Sequence, residues 1–289
     1  MKKIKIAMGQ VLVEGGEPNR NLERAEKMVV RAAKRNVDLI VLPETIDFAW
    51  THPSLLNEAK AIPGYFSDFF ERLAKKHKVY ICVGLTEKDK GGFFNSVLLI
   101  NKSGKTILKH RKINLLDVEQ PYYQVGGKLE VVETELGKIG VNICADNYKN
   151  SIHIGKTLGH MGADIILSPS AWTVGHNVTE ADDPYKDKWE TPLKYIASMF
   201  EIPVIAVTSV GYIVGGPYEG KKQIGCSLAV NQNGIIKKGE FNEFAGSLSF
   251  IDVLIKTEKK KGTELLKKIE EKGFKPELKL CKKKKKIKK

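Results

Sequence analysis

Apolar residues recur along this chain in two rhythms. Short apolar-rich runs of strand length fall at Ile4 to Gln10, Leu39 to Leu42, Tyr80 to Leu85, Ser96 to Ile100, Ile139 to Ile143, Ile165 to Leu167, Val204 to Thr208, Leu228 to Val230 and Leu248 to Val253. Between several of them the spacing turns helical. Asn21 to Arg35 carries Leu22, Ala25, Met28, Val29 and Ala32 on one face, and Phe66 to His77 and Lys188 to Phe200 also predict helices. Turn sequences such as "NKSGK" and "NQNG" predict hairpins between neighbouring strands. Strands alternating with helices and hairpins imply a mixed α/β layered sheet. We expect one domain over residues 1–262. Residues 263–289 should form a helix, Thr263 to Lys272 stopped by Gly273, and a Lys-rich tail.

Composition changes this picture little. At 42% hydrophobic and 28% charged the chain reads as an ordinary soluble globular protein. The net charge of +14 is the exception, and its location explains it: 16 Lys against 5 Glu lie between Lys256 and Lys289. The body is therefore nearly neutral. "KKKKKIKK" at the end has no apolar face to pack and no aromatic interleaving, so we expect a disordered, solvated tail and no nucleic-acid partner. No apolar stretch reaches the length of a signal h-region or a membrane helix, which leaves the cytoplasm as the expected setting and no membrane partner. Four cysteines stand far apart without a CxxC pair, so reduced thiols are expected rather than disulfides or a structural zinc.

Several chemistries drop out by motif. There is no GxGxxG, HExxH or GxSxG, and "HIGKTLG" lacks the upstream glycine of a phosphate-cradling loop because Asn150 holds that position. The six histidines (His52, His77, His110, His153, His160 and His176) are scattered; His153 and His160 fit one helical face but read better as surface or core residues than as a metal pair. Three strand ends remain. "DLIVLPET" ends on Glu44, "ILKHRKINLL" places Lys112 after an extended run, and "IGVNICADNY" runs into Cys144. Singly, each has an ordinary reading: an ion-pairing carboxylate, a wet basic loop, a small core residue. Jointly they supply what a thiol needs to become a nucleophile, a base and a cation.

These three motifs, in this order and spacing, resemble those of the nitrilase superfamily of carbon-nitrogen hydrolases. The resemblance runs from "IKIAMGQ" through "GADIILSPSAW" to "EIPVIAVTSVGY". It implies a four-layer α-β-β-α sandwich, pairing into a homodimer or higher homo-oligomer, and a catalytic triad of Glu44, Lys112 and Cys144. The family's second glutamate matches Glu119 in "DVEQPYYQVGG". The implied chemistry has Glu44 take the thiol proton and Cys144 attack an amide or nitrile carbon, with Lys112 and the Ala145 N–H holding the oxyanion. No metal or organic cofactor is implied. Amide or carbamoyl hydrolysis is the expected activity, with nitrile hydrolysis or a non-catalytic, partner-binding role as alternatives. Where many amidase branches place an arginine after the cysteine, "CADNYKNSIHI" keeps Asp146 but has none. Ala145, Asp146, Asn147 and Trp172, at the base of the polar loop "SAWTVGHNVTEADDPYKDKW", are the candidate substrate-binding residues. Cys82 and Cys226 read as core fillers, and Cys281 borders the tail.

Overall fold

The computed structural model describes residues 1–182, 184–256 and 262–275. By contact the chain divides into Met1–Glu258 and Lys259–Lys289. In the first unit the order is β1 (Lys2–Gln10), α1 (Pro18–Ala33), β2 (Leu39–Val41), α2 (Leu55–Glu58), α3 (Tyr65–His77), β3 (Tyr80–Asp89), β4 (Gly92–Ile100), β5 (Thr106–Arg111), β6 (Val131–Thr134), β7 (Gly137–Val141), α4 (Ile152–His160), β8 (Ile165–Ser170), α5 (Thr191–Phe200), β9 (Val204–Thr208), β10 (Val210–Tyr212), β11 (Lys222–Ile224), β12 (Leu228–Asn231), β13 (Gly234–Lys238) and β14 (Ser247–Ile255).

Two six-stranded sheets carry the fold, in the orders β14-β1-β2-β3-β4-β5 and β13-β12-β9-β8-β7-β6. Each has three parallel strands at its centre, β1-β2-β3 and β7-β8-β9, with antiparallel strands at the margins. β1, β2 and β3 meet β8 and β9 across the sandwich, α1 and α3 cover the outer face of the first sheet, and α4 and α5 cover that of the second. The four layers expected from the sequence are therefore present. The central strands are covered on both faces, and this is why they read as apolar runs rather than alternating ones. β14 lies at an edge and does alternate, from Ser247 to Ile255.

Differences from the sequence reading are local. β6, β10 and β11 are three- or four-residue strands too short to show a period, and β7 stops at Val141 instead of reaching Ile143. The helix expected from Lys188 begins with a π-helical turn, Lys186–Glu190, before α5. The "NKSGK" hairpin closes through Asn101 N–H to Lys105 C=O at 3.0 Å. Cys82 and Cys226 are buried as expected. The second unit, by itself, contains α6 (Gly262–Glu271), which stops at Gly273 with φ +82°. Cys281 and the tail from Lys282 to Lys289 lie outside the described residues.

Candidate active site

Ligands of open α/β sheets bind at the carboxyl ends of parallel strands, and the candidate residues gather there. Glu44 follows β2, and its backbone N–H donates to Ser170 C=O at the end of β8 (3.2 Å), tying one sheet to the other at this edge. Gly84 of β3 donates to Pro43 C=O (2.9 Å) and accepts from Ile46 N–H (2.9 Å). A Cβ on Gly84 would stand 2.5 Å from Glu44 Cα, so only glycine lets β3 approach this closely. Lys112 follows β5 directly and donates its N–H to Asn95 C=O (2.8 Å).

Cys144 follows β7 at the head of a 3-10 turn, Cys144–Asn147, with φ +43°. A non-glycine residue in the left-handed region is uncommon and costs on the order of 1–3 kcal/mol. Here it turns the thiol out of the sheet edge into a cavity.

The charged groups form one buried network. Lys112 Nζ donates to Glu44 Oε1 (2.8 Å) and to both oxygens of Glu119 (2.8 and 2.9 Å), and all three side chains are fully buried. Asn95 Nδ2 donates to Glu44 Oε1 (2.5 Å) and Glu119 Oε1 (3.3 Å), Trp50 Nε1 to Glu119 Oε1 (2.8 Å), and Leu116 N–H to Glu119 Oε2 (2.9 Å). Glu44 Oε2, also buried, has no hydrogen-bond partner among the described residues. That oxygen is positioned to take a proton.

Two carboxylates around one ammonium leave an excess negative charge away from water. Burial raises the Glu44 carboxyl above its ordinary value of 4.5, and the Glu119 charge adds to the effect against the opposing pull of Lys112. Burial works against the Lys112 ammonium, yet Glu119 and Glu44 outweigh it and hold Lys112 well above the ordinary lysine range. Burial, then Glu44, push the Cys144 thiol far up, with Lys112 and the Ala171 N–H pulling less strongly the other way. At neutral pH the sulfur is a thiol, and Glu44 is a stronger base than an ordinary carboxylate. Its attack therefore has to be coupled to loss of its proton.

The residues after the cysteine have their polar atoms turned into the protein. Asp146 Oδ1 accepts from Asn114 N–H (2.8 Å) and Ile113 N–H (3.2 Å), and Oδ2 from Ile143 N–H (2.9 Å) and His110 Nε2 (3.0 Å). Asn147 exchanges hydrogen bonds with Asn142 (2.7 and 3.0 Å) and donates to Ser168 Oγ (2.7 Å). Ala145 C=O accepts from Asn114 Nδ2 and Ser151 Oγ. Asp146 and Asn147 thus brace the turn that carries Cys144.

The space in front of the thiol is a cavity of about 30 Å³ lined by Trp50, Leu116, Cys144, Tyr148, Ala171, Thr173, Lys188, Trp189 and Tyr218. Trp172 is placed one layer back: it is 1% exposed and stacks on Trp189 with ring centres 5.0 Å apart, while its neighbours Ala171 and Thr173 reach the cavity. Sequence reasoning missed Asn95 and most of this wall. Asn95 had a visible signal, an amide at the head of the apolar run "SVLLI". Trp50, Tyr148 and Tyr218 come from loops, where no periodicity marks them, and Lys188 and Trp189 from the π turn at the start of the helix expected from Lys188.

A family model described as carbon-nitrogen hydrolase matches residues 5–257. Among relatives, the chain is 26% identical over 184 residues to an omega-amidase of Xenopus laevis, covering 60% of this chain and 66% of that protein. It is 33% identical over 172 residues to a nitrilase of Pyrococcus abyssi, covering 58% and 64%. In both cases the match spans less than two thirds of the relative's length. A crystal structure of a carbon-nitrogen hydrolase from Helicobacter pylori G27 superposes with a TM-score of 0.77 at 22% identity, covering 94% of each chain.

Proposed function

The chain belongs to the carbon-nitrogen hydrolase family, and from that premise we propose that it cleaves a small non-peptide amide through a Cys144 thioester. The observation that carries this reading is the bridging ammonium of Lys112 between Glu44 and Glu119, with a bare Glu44 oxygen left over at the edge where Cys144 opens into its cavity.

In the proposed reaction Glu44 removes the thiol proton as sulfur attacks the amide carbon. Lys112 and the Ala145 N–H receive the developing oxyanion, at about 3 kcal/mol for one preorganised donor. The C–N bond breaks as Glu44 returns the proton to the departing nitrogen, leaving a thioester and ammonia or an amine. Glu44 then takes a proton from water, which attacks the thioester; the C–S bond breaks, the carboxylic acid leaves, and Glu44 returns the proton to the Cys144 sulfur. Glu119 holds Lys112 in place throughout. A cavity an order of magnitude below a drug-sized site favours a small acyl group over a peptide.

Nitrile hydrolysis is the second reading, favoured by the 33% identity to a nitrilase. The reading also includes a homodimer, which light scattering would test, and a cytoplasmic setting; among the described residues no helix is long and apolar enough to cross a membrane. The functional test is ammonia release from a panel of small amides, carbamoyl compounds and nitriles, wild type beside Cys144→Ala. Release by wild type alone supports the reading, and release by Cys144→Ala overturns it.

A further inference from the structure

The cavity in front of Cys144, at about 30 Å³, has room for about two water molecules, less than even a small amide needs. A wall therefore has to move for substrate to enter and product to leave. Three of the four aromatic walls are fixed. Trp50 donates through Nε1 to Glu119 (2.8 Å), and Trp189 is 2% exposed and packs against Trp172 and Tyr185. Tyr148 is held between two 3-10 turns, donating its N–H to Ala145 C=O (3.1 Å) and accepting from Ser151 N–H (3.0 Å). The fourth, Tyr218, rides on the hairpin that joins β10 to β11.

That hairpin belongs to neither large sheet. Its base is held: Val210 N–H donates to Val11 C=O (3.0 Å), and Lys222 exchanges backbone hydrogen bonds with Val174 (2.9 and 3.2 Å). Beyond the base, among the described residues, the backbone hydrogen bonds of residues 213–221 are internal, from Ile213 N–H to Lys221 C=O (2.8 Å), Gly220 N–H to Ile213 C=O (3.0 Å) and Lys221 N–H to Tyr218 C=O (3.0 Å). A two-stranded ribbon is marginal on its own, so packing is what holds the tip down. Tyr218 meets Trp50 edge-on with ring centres 5.2 Å apart, and Lys221, within the same tip, covers its ring at 3.6 Å. Gly215 and Gly216 rest on His52 and Thr51 so closely that a Cβ would stand 2.7 Å from His52 Nε2 and 2.6 Å from Thr51 C=O. A gap of about 10 Å³ remains between Ile213, Val214 and the underlying Val13 and Ala49. Glycines with positive φ, Gly215 (+73°) and Gly216 (+75°) before Tyr218 and Gly220 (+81°) after it, can change conformation at little steric cost.

We propose that this hairpin is a flap and Tyr218 its gate: the tip lifts about Gly215, Gly216 and Gly220 to admit the amide, then seats Tyr218 on Trp50 before Cys144 attacks. The inference rests on the proposed role of Cys144 in amide hydrolysis. The gate closes against a residue bonded to Glu119, which in turn holds Lys112. Closure thus shuts out bulk water at the wall nearest the buried charges, where water would weaken them.

The test alkylates Cys144 with iodoacetamide and with its bulkier N-benzyl derivative at one pH, reading the rates from the mass of the Cys144 peptide. The ratio of the two rates cancels the reactivity of the thiol itself and leaves access. Tyr218→Ala removes the gate, while Gly216→Ala changes no wall residue but sets a methyl against Thr51 C=O that only a lifted tip relieves. We expect the benzyl reagent to gain on iodoacetamide by about ten-fold or more in each variant, the shift that one residue held in the left-handed region supports. In the wild type the amides of residues 213–221 should exchange with deuterium at least about a hundred-fold faster than those of β1 and β2. A gain in Tyr218→Ala alone, or in neither variant, overturns the flap. Hairpin exchange as slow as that of the sheets also overturns it, by a measurement that needs no variant to fold. A ratio that rises in Gly216→Ala, in a protein whose wild type turns over no amide, leaves the flap standing and overturns the hydrolase reading instead.

Discussion

His110 Nε2 and Asp146 Oδ2 lie 3.0 Å apart, both buried, and join the strand that leads into Lys112 to the turn that begins with Cys144. β5 belongs to one sheet and β7 to the other. The same carboxylate accepts the backbone N–H groups of Ile113 and Asn114, just past Lys112, and of Ile143, just before Cys144. One side chain thereby sets the spacing of two candidate catalytic groups that sit on different sheets.

Asp146→Ala should therefore cost both stability and rate. It strands four donors, of which the Ile143 N–H and His110 Nε2 are buried, and losing one partner of such a network costs about 3–5 kcal/mol. Where the variant remains folded, kcat on any amide the wild type hydrolyses should fall by at least about a hundred-fold, the penalty for a 1 Å misplacement. Chemical denaturation and steady-state kinetics check the two parts; a variant with unchanged rate would show that Asp146 holds nothing the reaction needs.

Gly84→Ala tests the other wall of the network without touching a charged group. The new methyl would stand 2.5 Å from Glu44 Cα and 2.8 Å from Pro43 C=O, both backbone atoms that cannot swing aside. The Glu44 loop must then move away from β3. Overpacking of this kind costs about 1–3 kcal/mol, and the displaced base should lower kcat more than it raises KM. Equal kcat in variant and wild type would count against Glu44 as the base.

These two residues also mark how far the site was legible in the sequence. Glu44, Lys112, Cys144 and Glu119 were marked by strand ends and by motifs, since a polar residue closing an apolar run is a local signal. Nothing local distinguishes Gly84 within "YICVGLTE", because its role is defined by a backbone 40 residues away in sequence. The mixed α/β layering was legible through the apolar runs of its doubly buried central strands, and the four-layer sandwich through the family resemblance. The cavity wall was not, because Trp50, Tyr148 and Tyr218 reach it through loops, and Trp189 through a π turn, whose paths depend on tertiary packing. Asp146 was expected to face substrate, a role its motif position suggested and its hydrogen bonds leave little room for.

Asp47 gives a prediction about stability against pH. It is fully buried and accepts the N–H groups of Thr86 (2.8 Å) and Phe48 (3.0 Å), yet burial pushes its carboxyl from 3.8 up to about 7. Between those values the folded protein keeps a proton that the unfolded chain has lost. Stability must then fall as pH rises, by roughly 1.4 kcal/mol per unit and about 4 kcal/mol in all. Asp47→Asn removes this dependence. Denaturation at pH 4, 5, 6 and 7 should show the variant gaining on the wild type with each step, and parallel curves would mean that Asp47 titrates normally.

Glu119→Gln separates two jobs that the second glutamate performs. Its carboxylate accepts Lys112 Nζ through both oxygens, and its charge also raises the Glu44 carboxyl. If Glu44 is the base, kcat/KM of the wild type requires it ionised and is lost as pH falls through its raised value, so the acid limb should lie above 4.5. Glutamine keeps the shape and one acceptor for Lys112 but removes the negative charge. Lys112 is then shared with no second carboxylate and stabilises ionised Glu44 more effectively. The variant should be slower, by about a hundred-fold or more if the lysine is less well held, and its remaining activity should persist to lower pH than that of the wild type. A purely structural role for Glu119 would lower the rate and leave the limb where it was. A limb that moved to higher pH would mean that the titrating group is not Glu44.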